Sequence, residues 1–181
     1  MRAALAVLAV LVLAGCSPSF PSGPAPETTT TRPTYELSPR TARPDETPLK
    51  VPTKQDGDTE FVLVGITPRL PSLTGSHIDF NAKGLFYRIR VAATNIGRTN
   101  VEFDTRKQLL VIQDGATHIP DDPAMTVKRQ PDKFALGANV RIEFDLYYDI
   151  PKDAQPKALK VFGGRTLTDQ DDATGTDIPL P

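Results

Sequence analysis

Cysteine occurs once in 181 residues, tryptophan never, and histidine and methionine twice each. One cysteine excludes an internal disulfide, so any folded domain here is held by its core alone. The absence of tryptophan and of a second cysteine excludes the Cys–Trp–Cys core of antibody domains. A net charge of one sign is missing too: 21 Lys and Arg stand against 22 Asp and Glu, a formal −1. That balance gives nucleic-acid binding through bulk positive charge no footing, and no nucleic acid is expected as a partner. The one long apolar run, the eleven residues from Ala3 to Leu13, falls well short of the ~20 residues that span a bilayer.

That run is built like a secretory signal. Arg2 supplies the cation, and small Ala14 and Gly15 stand where a peptidase cuts. A short membrane-anchor helix is the competing reading. Leu13-Ala14-Gly15-Cys16 favours the signal, because it resembles the bacterial lipobox, in which lipid joins the Cys thiol before cleavage in front of it. Residues 1–15 are then a lipoprotein signal peptide and Cys16 is the lipidation site. The resemblance implies a diacylglyceryl group, whose two chains, at ~0.8 kcal/mol per buried CH₂, make a lasting anchor. As a nucleophile Cys16 would need a base, and its Pro/Ser surroundings supply none. The expected location is the cell membrane, on the extracytoplasmic side.

Residues 16–58 read as a disordered tether. Positions 17–58 hold nine Pro and eight Thr, too few apolar groups for a core and a composition that favours extended, solvated chain. Thr28–Thr31 among prolines leaves a glycosylated stalk open as a second use. One domain is left, residues 59–181.

In that domain the apolar period is two. Phe61–Ile66 is a nearly continuous apolar strand. From Gly84 to Thr94, Tyr87, Ile89, Val91 and Ala93 point inward, while Phe86, Arg88, Arg90 and Ala92 point outward. Short strands follow at Val101–Phe103, Leu109–Ile112 and Ala116–Ile119, the last two joined by an Asp114-Gly115 turn. From Val140 to Tyr148, Val140, Ile142, Phe144, Leu146 and Tyr148 face in and Arg141, Glu143, Asp145 and Tyr147 face out. Ala158–Phe162 and a last strand at Ile178 and Leu180 complete the set. Asp122-Pro123 marks a helix of a turn or two. Seven or eight short strands make the fold class all-β, an immunoglobulin-like β-sandwich, with a small barrel as the rival architecture.

The order of these features resembles a known family. An apolar strand (Phe61–Ile66) is followed by one ending in Asn95-x-Gly97, then an Asp114-Gly115 hairpin. A Gly137-led strand carries Phe144-Asp145 into Pro151, and Leu159-x-Val161 follows. This resembles the actinobacterial and firmicute domain of unknown function with an immunoglobulin-like fold, which includes a secreted mycobacterial immunogenic protein. Members often carry a misleading telomere-binding label. One departure is Leu136-Gly137, where such domains often have Pro-Gly. The resemblance implies no catalytic residues.

The chemistry-bearing residues form no convincing site. His77 and Asp79 could offer two metal ligands, with Asp121 or Met125 as a third, but the set and spacing of a metal centre are lacking. Asp169, Asp171, Asp172 and Asp177 place oxygens like the start of a calcium loop, yet Ala173 and Gly175 fall at the wrong positions. Nucleophile elbows, zinc-protease and β-lactamase motifs are absent. No enzyme, cofactor or metal is expected. The candidate interaction face is the outward side carrying Phe86, Arg88, Arg90, Arg141 and Tyr147, provided that the two strands share a sheet. Arginines there would bind an unknown envelope protein, polymer or lipid. The alternative is a carrier holding a lipid or small ligand in an apolar cavity.

Overall fold

A computed structural model describes residues 41–76, 78–170 and 174–181. The signal peptide, Cys16, the tether up to residue 40, His77, Asp171 and Asp172 lie outside the described residues.

In chain order the strands are β1 (Thr47–Pro48), β2 (Lys54–Asp56), β3 (Thr59–Thr74), β4 (Asp79–Asn95), β5 (Val101–Asp104), β6 (Leu109–Ile112), β7 (Thr117–His118), β8 (Lys133–Leu136), β9 (Arg141–Ile150), β10 (Pro156–Val161) and β11 (Thr176–Pro179), with one α-helix, α1 (Asp122–Val127), between β7 and β8. Eight of them (β3, β4, β5, β6, β8, β9, β10 and β11) have four residues or more. One sheet runs β1-β3-β4-β9, with β2 also on β3. The second runs β11-β10-β6-β7, and β5 with β8 makes a two-stranded ribbon. Every pairing is antiparallel. This is an all-β sandwich.

The alternation read from sequence places the core. Tyr87, Ile89, Val91 and Ala93 of β4 and Phe144, Leu146 and Tyr148 of β9 are buried. They meet Leu110 and Ile112 of β6, Leu159 and Val161 of β10 and Ile178 of β11 in one cluster. Phe103 of the ribbon sits at its centre, with ring centroids 6.0 Å from Phe61, 5.9 Å from Phe134 and 5.8 Å from Phe144. Val140 was expected to face in but is 48% exposed, because pairing of β9 with β4 begins at Arg141 opposite Thr94.

Two buried polar side chains join the layers. Gln108 donates to the carbonyls of Asp104 (2.9 Å) and Phe162 (3.2 Å) and accepts from the Phe162 N–H (2.8 Å), while its own carbonyl accepts the Tyr148 hydroxyl at 3.1 Å. Asn95, in the Asn-x-Gly turn, donates to Thr99 and Leu136 carbonyls and accepts from the Gly97 N–H. Buried amides and hydroxyls satisfied in this way hold the sheets in one arrangement.

Several elements differ from expectation. β3 has 16 residues, not six, since it passes Pro68 and Pro71 through irregular pairing around Leu70, where a missing N–H does no harm. β8 was not anticipated; it is only four residues long and follows Pro131. The helix is capped one residue earlier than expected: Asp121 accepts from the Ala124 N–H at 2.8 Å, and Pro123 lies in the first turn.

The largest correction concerns residues 41–58, expected to belong to the disordered tether. Residues 47–48 and 54–56 pair with β3, and Glu46 and Leu49 are buried. β2 is fixed at the far side as well, where Asp56 accepts from the Gly163 N–H and the Thr176 hydroxyl, both at 2.8 Å. A Pro-rich segment folds here because its few apolar and acidic side chains find partners on the sheet.

Candidate functional site

The outward side of β4 and β9 is where sequence placed a recognition surface. The two strands do share a sheet: Arg88 pairs in register with Tyr147, Arg90 with Asp145, Ala92 with Glu143 and Thr94 with Arg141. The exposure does not hold. Phe86 is fully buried, Tyr147 is 1% exposed and Arg90 is 7% exposed. The reason is a strap, residues 41–49, which reaches Asp145 of β9 through Arg43, Arg90 of β4 through Thr41, and Thr67 of β3 through Asp45. Phe86 belongs to the core cluster itself, its ring 5.7 Å from that of the half-buried Phe80 packed against it.

Glu46 is the strap's central anchor. Its carboxylate accepts from the Arg43 N–H (2.8 Å), Arg88 Nη2 (3.2 Å) and Arg90 Nη1 (3.3 Å). Arg88 Nη2 also reaches Asp45 (2.7 Å) and the Thr67 hydroxyl (2.8 Å). Arg90 Nη2 reaches Glu143 (3.2 Å) and the Thr41 carbonyl (3.4 Å), and Arg43 Nη1 reaches Asp145 (2.7 Å). Gly65 makes room for this: a Cβ there would lie 3.0 Å from Glu46 Oε2. A glycine inside a strand marks such a close approach.

These contacts gather Arg43, Arg88 and Arg90 against Asp45, Glu46, Glu143 and Asp145. The arginines are neutralised from within the chain, so this face does not offer the free cationic strip expected of it. A buried ion cluster like this is a device for register more than for net stability, because desolvation offsets much of the attraction. Burial works against the Arg88 charge, but the hydrogen bond to Asp45 and the pull of Asp145 prevail and raise its pKa. The hydrogen bond from Arg88 holds the Asp45 carboxyl below its usual range. Burial, reinforced by Asp145, pushes the Tyr147 phenol up to about 12.

Beside the strap lies a hollow of about 330 Å³, walled by Ala42, Leu49, Val62 and Ala92, with Glu60 and Arg141 at its polar side. Arg141 contributes to this concave surface. The free edge of β9 is capped by the α1 region: the Gln130 side-chain oxygen accepts from the Asp145 N–H and the Asp121 backbone N–H donates to the Tyr147 carbonyl, both at 2.7 Å. Covered edges of this kind resist strand addition.

The other candidates are scattered. Met125 is fully buried and Asp121 is engaged in capping. His118 lies on β7, paired in register with Leu110. Asp177 faces Lys160 at 3.8 Å. Among the described residues no three His, Cys, Asp or Glu side chains are grouped to hold a metal. Sequence reasoning missed Glu46 and Gln108 altogether. Gly65 within an apolar strand and small Ala92 on the outward face were the available signals that something packs there.

The sandwich is similar to the yjhA protein of Bacillus subtilis, at 17% identity and a TM-score of 0.55, over 72% of this chain and 97% of that one. That likeness is one of fold. A secreted protein from Mycobacterium tuberculosis, MPT63, is also similar, at 14% identity and a TM-score of 0.41, over 75% of this chain and 98% of that one. No curated protein matches the sequence. No catalytic family is indicated. Residues 51–172 match the family described as a domain of unknown function, DUF4352, and the chain belongs to that family.

Proposed function

We propose that the chain is a lipid-anchored cell-envelope protein that displays its β-sandwich for binding and performs no catalysis. The observation that carries this reading is Leu13-Ala14-Gly15-Cys16 directly behind an eleven-residue apolar run. A thiol that serves as an attachment point, a Pro/Thr-rich spacer and a disulfide-free sandwich form a consistent design for holding a domain off a membrane. The partner is an envelope protein, polymer or lipid. Cys16→Ala tests the anchor. The variant is expected to leave the membrane fraction, either into the medium or as uncleaved precursor. A mature-sized variant that stays with the membrane refutes it.

The hollow beside the strap supports a second reading, a carrier for a small amphiphile, since about 330 Å³ is at the small end of ligand pockets. Mass spectrometry of material extracted from the purified native protein separates the two. A stoichiometric bound lipid favours the carrier, and its absence favours display.

A further inference from the structure

The strap and the face beneath it are separable parts. Arg88, Arg90, Glu143 and Asp145 are set by the β4–β9 register, whatever the strap does. The strap docks through two buried side chains, Glu46 and Leu49, a two-residue pairing between β1 and β3 extended by the Leu49 N–H on the Val64 carbonyl, and the ion pairs of Arg43 with Asp145 and of Asp45 with Arg88. Thr41, Arg43, Pro44, Asp45, Thr47 and Pro48 are exposed. Residues 50–53 then form a link outside any strand, with Pro52 in it and Lys50, Pro52 and Thr53 exposed. β2, which follows the link, is fixed independently by Asp56 on Gly163 and Thr176. The strap can therefore swing away on residues 50–53 without unpairing β2.

An opened strap leaves Arg88 and Arg90 without Glu46, and largely buried cations that lose a partner are costly. The face must be refilled by a segment bearing the same carboxylates beside an apolar anchor. The segment known to fit is Asp45-Glu46-Thr47-Pro48-Leu49 itself, and every copy of the chain carries it.

We propose that this face accepts the strap of a second copy, giving a strap-exchanged dimer in which each protomer supplies Glu46 to the other's Arg88 and Arg90. Each contact of the closed monomer is remade between copies. The two states therefore differ mainly in the link and in the entropy of association, which makes exchange a low-cost route to a dimer. The link is short, so the strap's own effective concentration is on the order of millimolar and the monomer prevails in dilute solution. β1 and β2 run in the same direction along one edge of β3, Thr47 opposite Ile66 and Lys54 opposite Phe61, so the link joins them without turning back and opening bends the chain at that segment alone.

The test uses the chain from residue 16 onward with Cys16→Ser, prepared in unlabelled and ¹⁵N-labelled form, mixed, incubated and read by native mass spectrometry. Mixed-mass dimers are expected, rising about tenfold in fraction for each tenfold rise in concentration while they are the minor species. Glu46→Arg removes the carboxylate from the strap and is expected to abolish the dimer. Leu49→Ser, which removes the other anchor and leaves the ion cluster's residues intact, is expected to do the same if Glu46→Arg fails to fold. Monomers alone up to about a millimolar overturn the proposal. A dimer that persists in a folded strap variant places the contact elsewhere and overturns it too.

Discussion

Replacing Glu46 by alanine probes the docked strap directly. The carboxylate is fully buried and accepts from the Arg43 N–H, Arg88 and Arg90 at 2.8, 3.2 and 3.3 Å. Removing one partner from a buried ion cluster costs about 3–5 kcal/mol, most of it from cations left uncompensated. Here Arg88 keeps Asp45 and Arg90 keeps Glu143, so the lower end, about 3 kcal/mol, is expected. In a domain of this size that lowers the melting temperature by about 10 °C. Thermal and urea melts followed by circular dichroism measure it. Asp45→Ala is the control, because that side chain is 61% exposed and should leave the midpoint within experimental error. The Glu46 effect should also survive added salt, which screens exposed pairs far more than buried ones. If Glu46→Ala and Asp45→Ala melt together near wild type, the strap does not hold the sheet and the reasoning fails.

Phe144→Ala should cost about 3–5 kcal/mol in urea melts, since the ring is 3% exposed and lies edge-on to Phe103 at 5.8 Å. Gly163→Ala should destabilise by about 2–3 kcal/mol, because its Cβ would come within 1.9 Å of the Asp56 carbonyl oxygen and push β2 away. Alkaline stability should fall between pH 10 and about 12. Tyr147 holds its proton to about 12 when folded against an ordinary 10.0, mainly through burial, so the unfolded state releases it first as pH rises. Below pH 10 that contribution is fully present, and a phenolate absorbance titration in which all tyrosines of the folded chain ionise at the ordinary value would contradict it.

Alternation in the sequence told which side of β4 and β9 each residue points to, and the core residues Ile89, Val91, Phe144, Leu146 and Tyr148 followed from it. It could not tell what lies on the other side. Arg88, Arg90, Glu143 and Asp145 have the spacing of a solvated face. The strap that covers them is broken by Pro44 and Pro48, so its composition matches a spacer. Glu143, which looks harmless as an outward carboxylate, accepts from Arg90 at 3.2 Å and is part of the cluster. Strand ends were also obscure: β7 is only two residues long, and β3 continues through two prolines that normally end a strand. Such limits come from tertiary contacts between residues far apart in the chain, and a local period carries no information about them.

The functional reading stands or falls on residue 16. Mass spectrometry of the N-terminal peptide of the protein, purified from the membranes of cells that make it, identifies that residue's state. The reading predicts a chain that begins at Cys16, with a diacylglyceryl group on its sulfur. A chain that begins elsewhere, or a Cys16 that carries no lipid, contradicts it.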